Sequence, residues 1–62
     1  MTRKDYVLVA DVLAAERRDA YAANDEARVF AIAKVAGRLA SNFQLANAAF
    51  DVDKFIVACT KD

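Results

Sequence analysis

The stretch DEARVFAIAKVAGRLASNF, residues 25–43, decides the fold. Its apolar residues Val29, Ile32, Ala36, Leu39 and Phe43 recur at alternating steps of three and four. An α-helix brings such positions onto one face, and the pattern persists for about five turns. The chain has no proline and a single glycine, Gly37. Its hydrophobic content is 58%, much of it alanine, which favours helix strongly but contributes little buried area. β-Branched residues are scattered rather than alternating with polar ones. The expectation is an all-α fold: a small three-helix domain, made of a helical hairpin and a short C-terminal helix that closes over it.

Working outward, Thr2 followed by Asp5 suits a helix start and resembles a capping box with aspartate in place of glutamate. The first helix then presents Tyr6, Val9, Ala10 and Leu13 on one face. Val7, Leu8 and Val12 widen that face, which predicts enclosure on more than one side. Beyond Leu13 the pattern weakens, and the helix ends either near Arg18 or at Ala23. Asn24 and Asp25 form the natural break, with Asp25 and Glu26 matching the positive end of the second helix. Gly37 lies inside that helix, where close approach of another helix or a bend would explain it. Ser41 and Asn42 suit its end. Phe43 to Phe50 fits no clean period and reads as a connecting loop with a short helical turn, in which Phe43, Leu45 and Phe50 look buried. Asp51 caps a last helix whose Val52, Phe55, Ile56 and Cys59 share one face, and Thr60 to Asp62 reads as a frayed tail.

Sixty-two residues make one domain, 1–62, and a chain so short is marginal as a lone monomer. Small folds compensate with disulfides, a metal, oligomerisation or very regular helix packing. One cysteine and no histidine leave no internal disulfide and too few ligands for structural zinc. Nine basic and nine acidic residues cancel, whereas a domain built to hold phosphates is usually basic, so nucleic acid is disfavoured as a partner. A single free thiol fits a reducing, cytoplasmic setting, and no apolar run is long enough to enter a membrane as a signal or a span.

Chemistry has little to work with. There is no histidine, no serine beside a base, no glycine-rich phosphate loop and no metal cluster, so neither an enzyme nor a cofactor is expected. Asp51 and Asp53 lack the other ligands and the glycine of a calcium loop, and read as a cap and an exposed acid. Cys59, on an apolar face, reads as core. The basic side of the second helix, Arg28, Lys34 and Arg38, extended by Arg17 and Arg18 of the first, reads as solvated charge. Its sharper reading is a helix-turn-helix, since Ala33 precedes Gly37 by the interval typical of that motif. Arg38 then stands where an apolar residue belongs, and the segment from Ala40 has no cation before Lys54 to support Ser41, Asn42, Gln44 and Asn47 at base edges.

The two ends carry a resemblance. Met1-Thr-Arg-Lys-Asp-Tyr6, an alanine-rich helix, and Phe50-Asp-x-Asp-Lys-Phe55-x-x-Ala-Cys59 resemble small helical proteins encoded by bacteriophages and prophages. The resemblance implies a phage accessory protein in bacterial host cytoplasm and lends no activity. The residues supply a physical reason for binding. Tyr6, Val7, Leu8, Tyr21, Phe30 and Val35 cannot all face one three-helix core, and exposed apolar patches mark interfaces. The expectation is a protein-interaction module that binds a protein partner or itself as a homodimer, through Tyr21, Phe30, Lys34, Val35 and Arg38. The alternative is a small nucleic-acid-binding regulator of helix-turn-helix type.

Overall fold

Three segments of this chain have both a start signal and an apolar face, and each becomes a helix. The computed structural model describes residues 1–61, with α1 at Arg3–Ala22, α2 at Glu26–Ala46 and α3 at Val52–Cys59. Thr2 and Asp5 form the capping box, the Asp5 carboxylate accepting from the Thr2 N–H at 2.8 Å and from its hydroxyl at 3.2 Å. These bonds hold the Asp5 carboxyl below its ordinary range. Asp25 and Asp51 cap α2 and α3 by accepting from the amides of Arg28 and Lys54, each at 3.0 Å. All three helices thus begin where a short polar side chain satisfies amides that have no partner within the helix.

α1 continues past Arg18 to the far end of its polar stretch. Asn24 takes the left-handed conformation at φ 54°, which asparagine adopts more readily than most residues. The Asp25 N–H then donates to the Ala20 carbonyl at 2.9 Å and the Asn24 N–H to that of Tyr21 at 3.0 Å. This is the Schellman ending, and it reverses the chain within three residues so that α2 returns antiparallel to α1.

α2 extends beyond the expected stop at Ser41 and Asn42. The Asn42 side-chain Nδ2 donates to the Arg38 carbonyl one turn back at 2.8 Å, and no glycine or proline follows to break the helix. Phe43 therefore sits on the inner face and Leu45 points outward, 85% exposed. The connecting loop shrinks to 47–51, where the Asn47 side chain accepts from the Ala49 N–H at 3.1 Å. α3 then runs along α1 in the same direction. Near one end of α3, Phe50 meets Tyr6, with ring centroids 4.6 Å apart. At the other end, Arg17 and Arg18 donate to the carbonyls of Thr60 and Lys61, both at 3.1 Å. Thr60 and Lys61 are therefore fastened rather than frayed, while Asp62 lies outside the described residues. The same contacts remove Arg17 and Arg18 from the basic side of α2.

The core is made of small side chains. Ala10, Ala36 and Ala40 are buried with Phe55 and Cys59, while Val9, Leu13, Leu39, Phe43, Phe50 and Ile56 pack half-buried around them. Alanine at i and i+4 on α1 and α2 lets helix axes come close, and the larger residues fill the flanks of that seam. Tyr6, Phe43, Phe50 and Phe55 form one aromatic cluster with centroids 4.6–5.6 Å apart, in the edge-on and tilted geometries that rings prefer. Phe30 is outside it, so three phenylalanines rather than four supply the large-ring burial. Val7, Leu8 and Val12 are exposed. They do not widen the buried face of α1, because α2 and α3 meet it only on the side of Ala10 and Ala14.

Gly37 is neither a contact point nor a bend. α2 is continuous through it, and a Cβ built there would meet nothing within 4 Å. Gly37→Ala is therefore expected to raise stability by about 0.5–1 kcal/mol, because alanine has less backbone freedom to lose in a helix. Phe55→Ala is expected to cost about 3–5 kcal/mol, close to the whole stability of so small a domain. Urea titration followed by circular dichroism measures both. A neutral Phe55→Ala would contradict the core described, and a destabilising Gly37→Ala would place a neighbour beside that glycine.

Candidate interaction surface

Five exposed residues were the candidates for a binding surface, and the bundle separates them. Tyr21, near the end of α1, and Phe30, one turn into α2, line the same groove with Ala20, Val29 and Ala33. The groove has a volume of about 430 Å³. α3 is too short to cover it: its last residues contact α1 at Arg17 and Arg18, one turn before Tyr21. Tyr21 and Phe30 are consequently 54% and 66% exposed.

Cations hold both rings. The Arg17 guanidinium lies 4.8 Å from the centroid of Tyr21 and the Lys34 ammonium 5.7 Å from that of Phe30. A cation over an aromatic face is favourable by about 0.5–1 kcal/mol at exposed sites. Arg17 also binds the carbonyl of Thr60, so Tyr21 is braced against the end of α3. Asn24, Asp25 and Glu26 complete the rim, where the two carboxylates are matched by the two cations over the rings. An apolar floor between two aromatic walls suits an apolar side chain.

Val35 and Arg38 belong elsewhere. At about 100° per residue they turn away from Phe30, toward the side of α2 that faces neither α1 nor α3. The sequence grouped all five by composition, but only Tyr21, Phe30 and Lys34 meet. Sequence reasoning missed a second groove of about 490 Å³ between α1 and α3, edged by Met1, Arg3, Val7 and Lys54 above the rings of Tyr6 and Phe50. The available signal was the position of Val7 beside, rather than on, the inner face of α1.

The remaining candidates have structural settings. Asp51 is a helix cap. Cys59 is buried at 1% exposure, and burial pushes its thiol pKa up, opposite to the shift that makes a cysteine nucleophilic. Because α2 is an unbroken helix from Glu26 to Ala46, Gly37 does not form the turn of a helix-turn-helix. Among the described residues no group of three or more His, Cys, Asp or Glu side chains is placed to hold a metal ion. No helix among them is long and apolar enough to cross a membrane.

Comparison with known proteins finds no matching family model, curated protein or solved structure. The fold defines a small all-α bundle, whose distinguishing features lie on its surface.

Cys59 is expected to resist an aromatic disulfide reagent at neutral pH and to react only as the chain unfolds, with labelling accelerated by urea. The shift also has a sign for stability. The unfolded thiol ionises near its ordinary value of 9.0 while the folded one stays protonated, so stability falls as pH rises through that value. Rapid labelling of the folded protein at pH 7 would show that the thiol is accessible.

Proposed function

We propose that the chain is a non-enzymatic protein-interaction module that grips its partner at the Tyr21–Phe30 groove. The observation that carries this reading is the exposure of two aromatic rings on one groove in a bundle whose buried positions are mostly alanine. An aromatic side chain leaving water contributes about 1.5–3 kcal/mol when fully buried, and aromatic residues are prominent among the anchors of protein interfaces. The apolar floor at Ala20, Val29 and Ala33 suits a partner segment that inserts an apolar side chain between the two rings. The likeness of the two ends to phage-encoded proteins supports an accessory role in bacterial cytoplasm, exerted by occupying a surface on a larger protein.

Phe30→Ser separates binding from folding, because a substitution at so exposed a position changes stability by about 0.5 kcal/mol or less. The experiment compares wild type and Phe30→Ser as baits in a bacterial lysate, with quantitative mass spectrometry of what each retains. The expected result is a protein retained by wild type and lost with Phe30→Ser, while the two melt alike. Identical sets on both baits would remove the groove from the account. Recovery of nucleic acid whose binding falls steeply with salt would favour a regulator instead.

A further inference from the structure

α1 and α2 each carry a second stripe at helical spacing, on the side turned away from α3. On α1 it is Asp5, Leu8, Val12, Ala15 and Asp19; on α2 it is Arg28, Ala31, Val35, Arg38, Asn42 and Leu45. Both follow alternating steps of three and four, the spacing of a seam that packs against another helix. Leu8, Val12, Val35 and Leu45 are all exposed.

One ion pair places the two stripes on the same side of the hairpin. Glu16, one turn after Val12, is joined to Arg28, two turns before Val35, at 2.9 Å. Arg17 and Arg18, the next residues on α1, turn instead to the end of α3. The Val12–Val35 side is therefore the back of the hairpin, and the Tyr21–Phe30 groove is on its front. The back is also divided by charge. The stripe of α1 carries Asp5 and Asp19, and that of α2 carries Arg28 and Arg38.

We infer that this face binds a second copy of the chain, forming a two-fold dimer in which each α1 lies over the partner's α2. Two in-plane symmetry axes are available to a face that packs on itself. An axis perpendicular to the helices would set α1 on α1 and α2 on α2, with acid facing acid and base facing base. An axis parallel to the helices crosses the pairs, so the acidic flank of each copy meets the basic flank of the other, with neighbouring helices antiparallel. Leu8, Val12 and Val35 then form the apolar centre between two layers of two helices, with Leu45, one residue from the end of α2, at its edge. A stable interface buries on the order of 800 Å² per partner, which is under a fifth of the 4513 Å² that the chain exposes. This inference adds a partner to the reading of the chain as an interaction module. It uses the face opposite the groove, so either can fail without the other.

Charge exchange provides the test. Variant A carries Arg38→Glu and variant B carries Asp5→Lys, at positions that the Glu16–Arg28 pair sets level with each other; both are exposed, and circular dichroism verifies that both variants fold. Sedimentation equilibrium at high micromolar concentration is expected to give wild type twice the 6.8 kDa chain mass. A alone and B alone are expected to dissociate with constants raised on the order of tenfold or more, because like charges now face each other. An equimolar mixture is expected to recover the dimer, since α2 of A then lies on α1 of B while the other pair of helices keeps its native charges. A monomeric wild type overturns the inference. So does a wild-type dimer that neither variant weakens, or a mixture that stays monomeric.

Discussion

Alanine at the helix seam is the constraint on which the rest of the structure depends. Ala10 and Ala14 on α1, with Ala36 and Ala40 on α2, let the helices approach closely, and α3 completes the seam with Phe55 and Cys59. Close approach has a cost in driving force, because a buried methyl removes far less apolar surface from water than a leucine does. The larger residues lie on the flanks, where Leu13, Leu39 and Ile56 are only half-covered. A three-helix chain built this way holds its shape through regular helices and three well-formed starts, and leaves much of its apolar surface outside.

The length of α3 determines where that surface appears. At eight residues it matches only the upper part of a hairpin whose arms are 20 and 21 residues long. Arg17 and Arg18 mark where it stops, by donating to its terminal carbonyls and complementing the negative end of the helix. Below that point no described residue lies over the hairpin, and Tyr21 and Phe30 line an open groove. A longer third helix would have buried them and removed the feature on which the proposed function rests. Arg17 thus links packing to function: it fastens α3 and holds the Tyr21 ring in the same gesture.

Much of this was legible in the residues. The face Val29, Ile32, Ala36, Leu39 and Phe43 points inward as its spacing requires, and Asn24–Asp25 and Asp51 cap where short polar side chains predict. The surplus of large apolar residues was legible too: of Tyr6, Val7, Leu8, Tyr21, Phe30 and Val35, all but Tyr6 are exposed, while Tyr6 joins the aromatic cluster. What was hidden had one cause: a residue's type states what it tolerates and not what stands beside it. Leu45 looked buried because it is apolar, yet continuing α2 to Ala46 rotates it to the outside. Gly37 looked like a point of contact because glycine is rare, yet it faces open space. Arg17 and Arg18 looked like solvated charge, and their partners are carbonyls 43 residues away, a distance no local pattern spans. The five candidate binding residues shared a composition, but the turn of the helix divides them between two faces.

The central claim is that this bundle leaves apolar surface which association completes. Its most direct test is the concentration dependence of the thermal midpoint, followed by circular dichroism from low to high micromolar protein. If folding is completed by a second copy, mass action requires the midpoint to climb steadily with concentration. A midpoint that stays fixed across that range, with a sharp two-state transition, would show that the isolated chain is already sufficient and contradict association through a second copy.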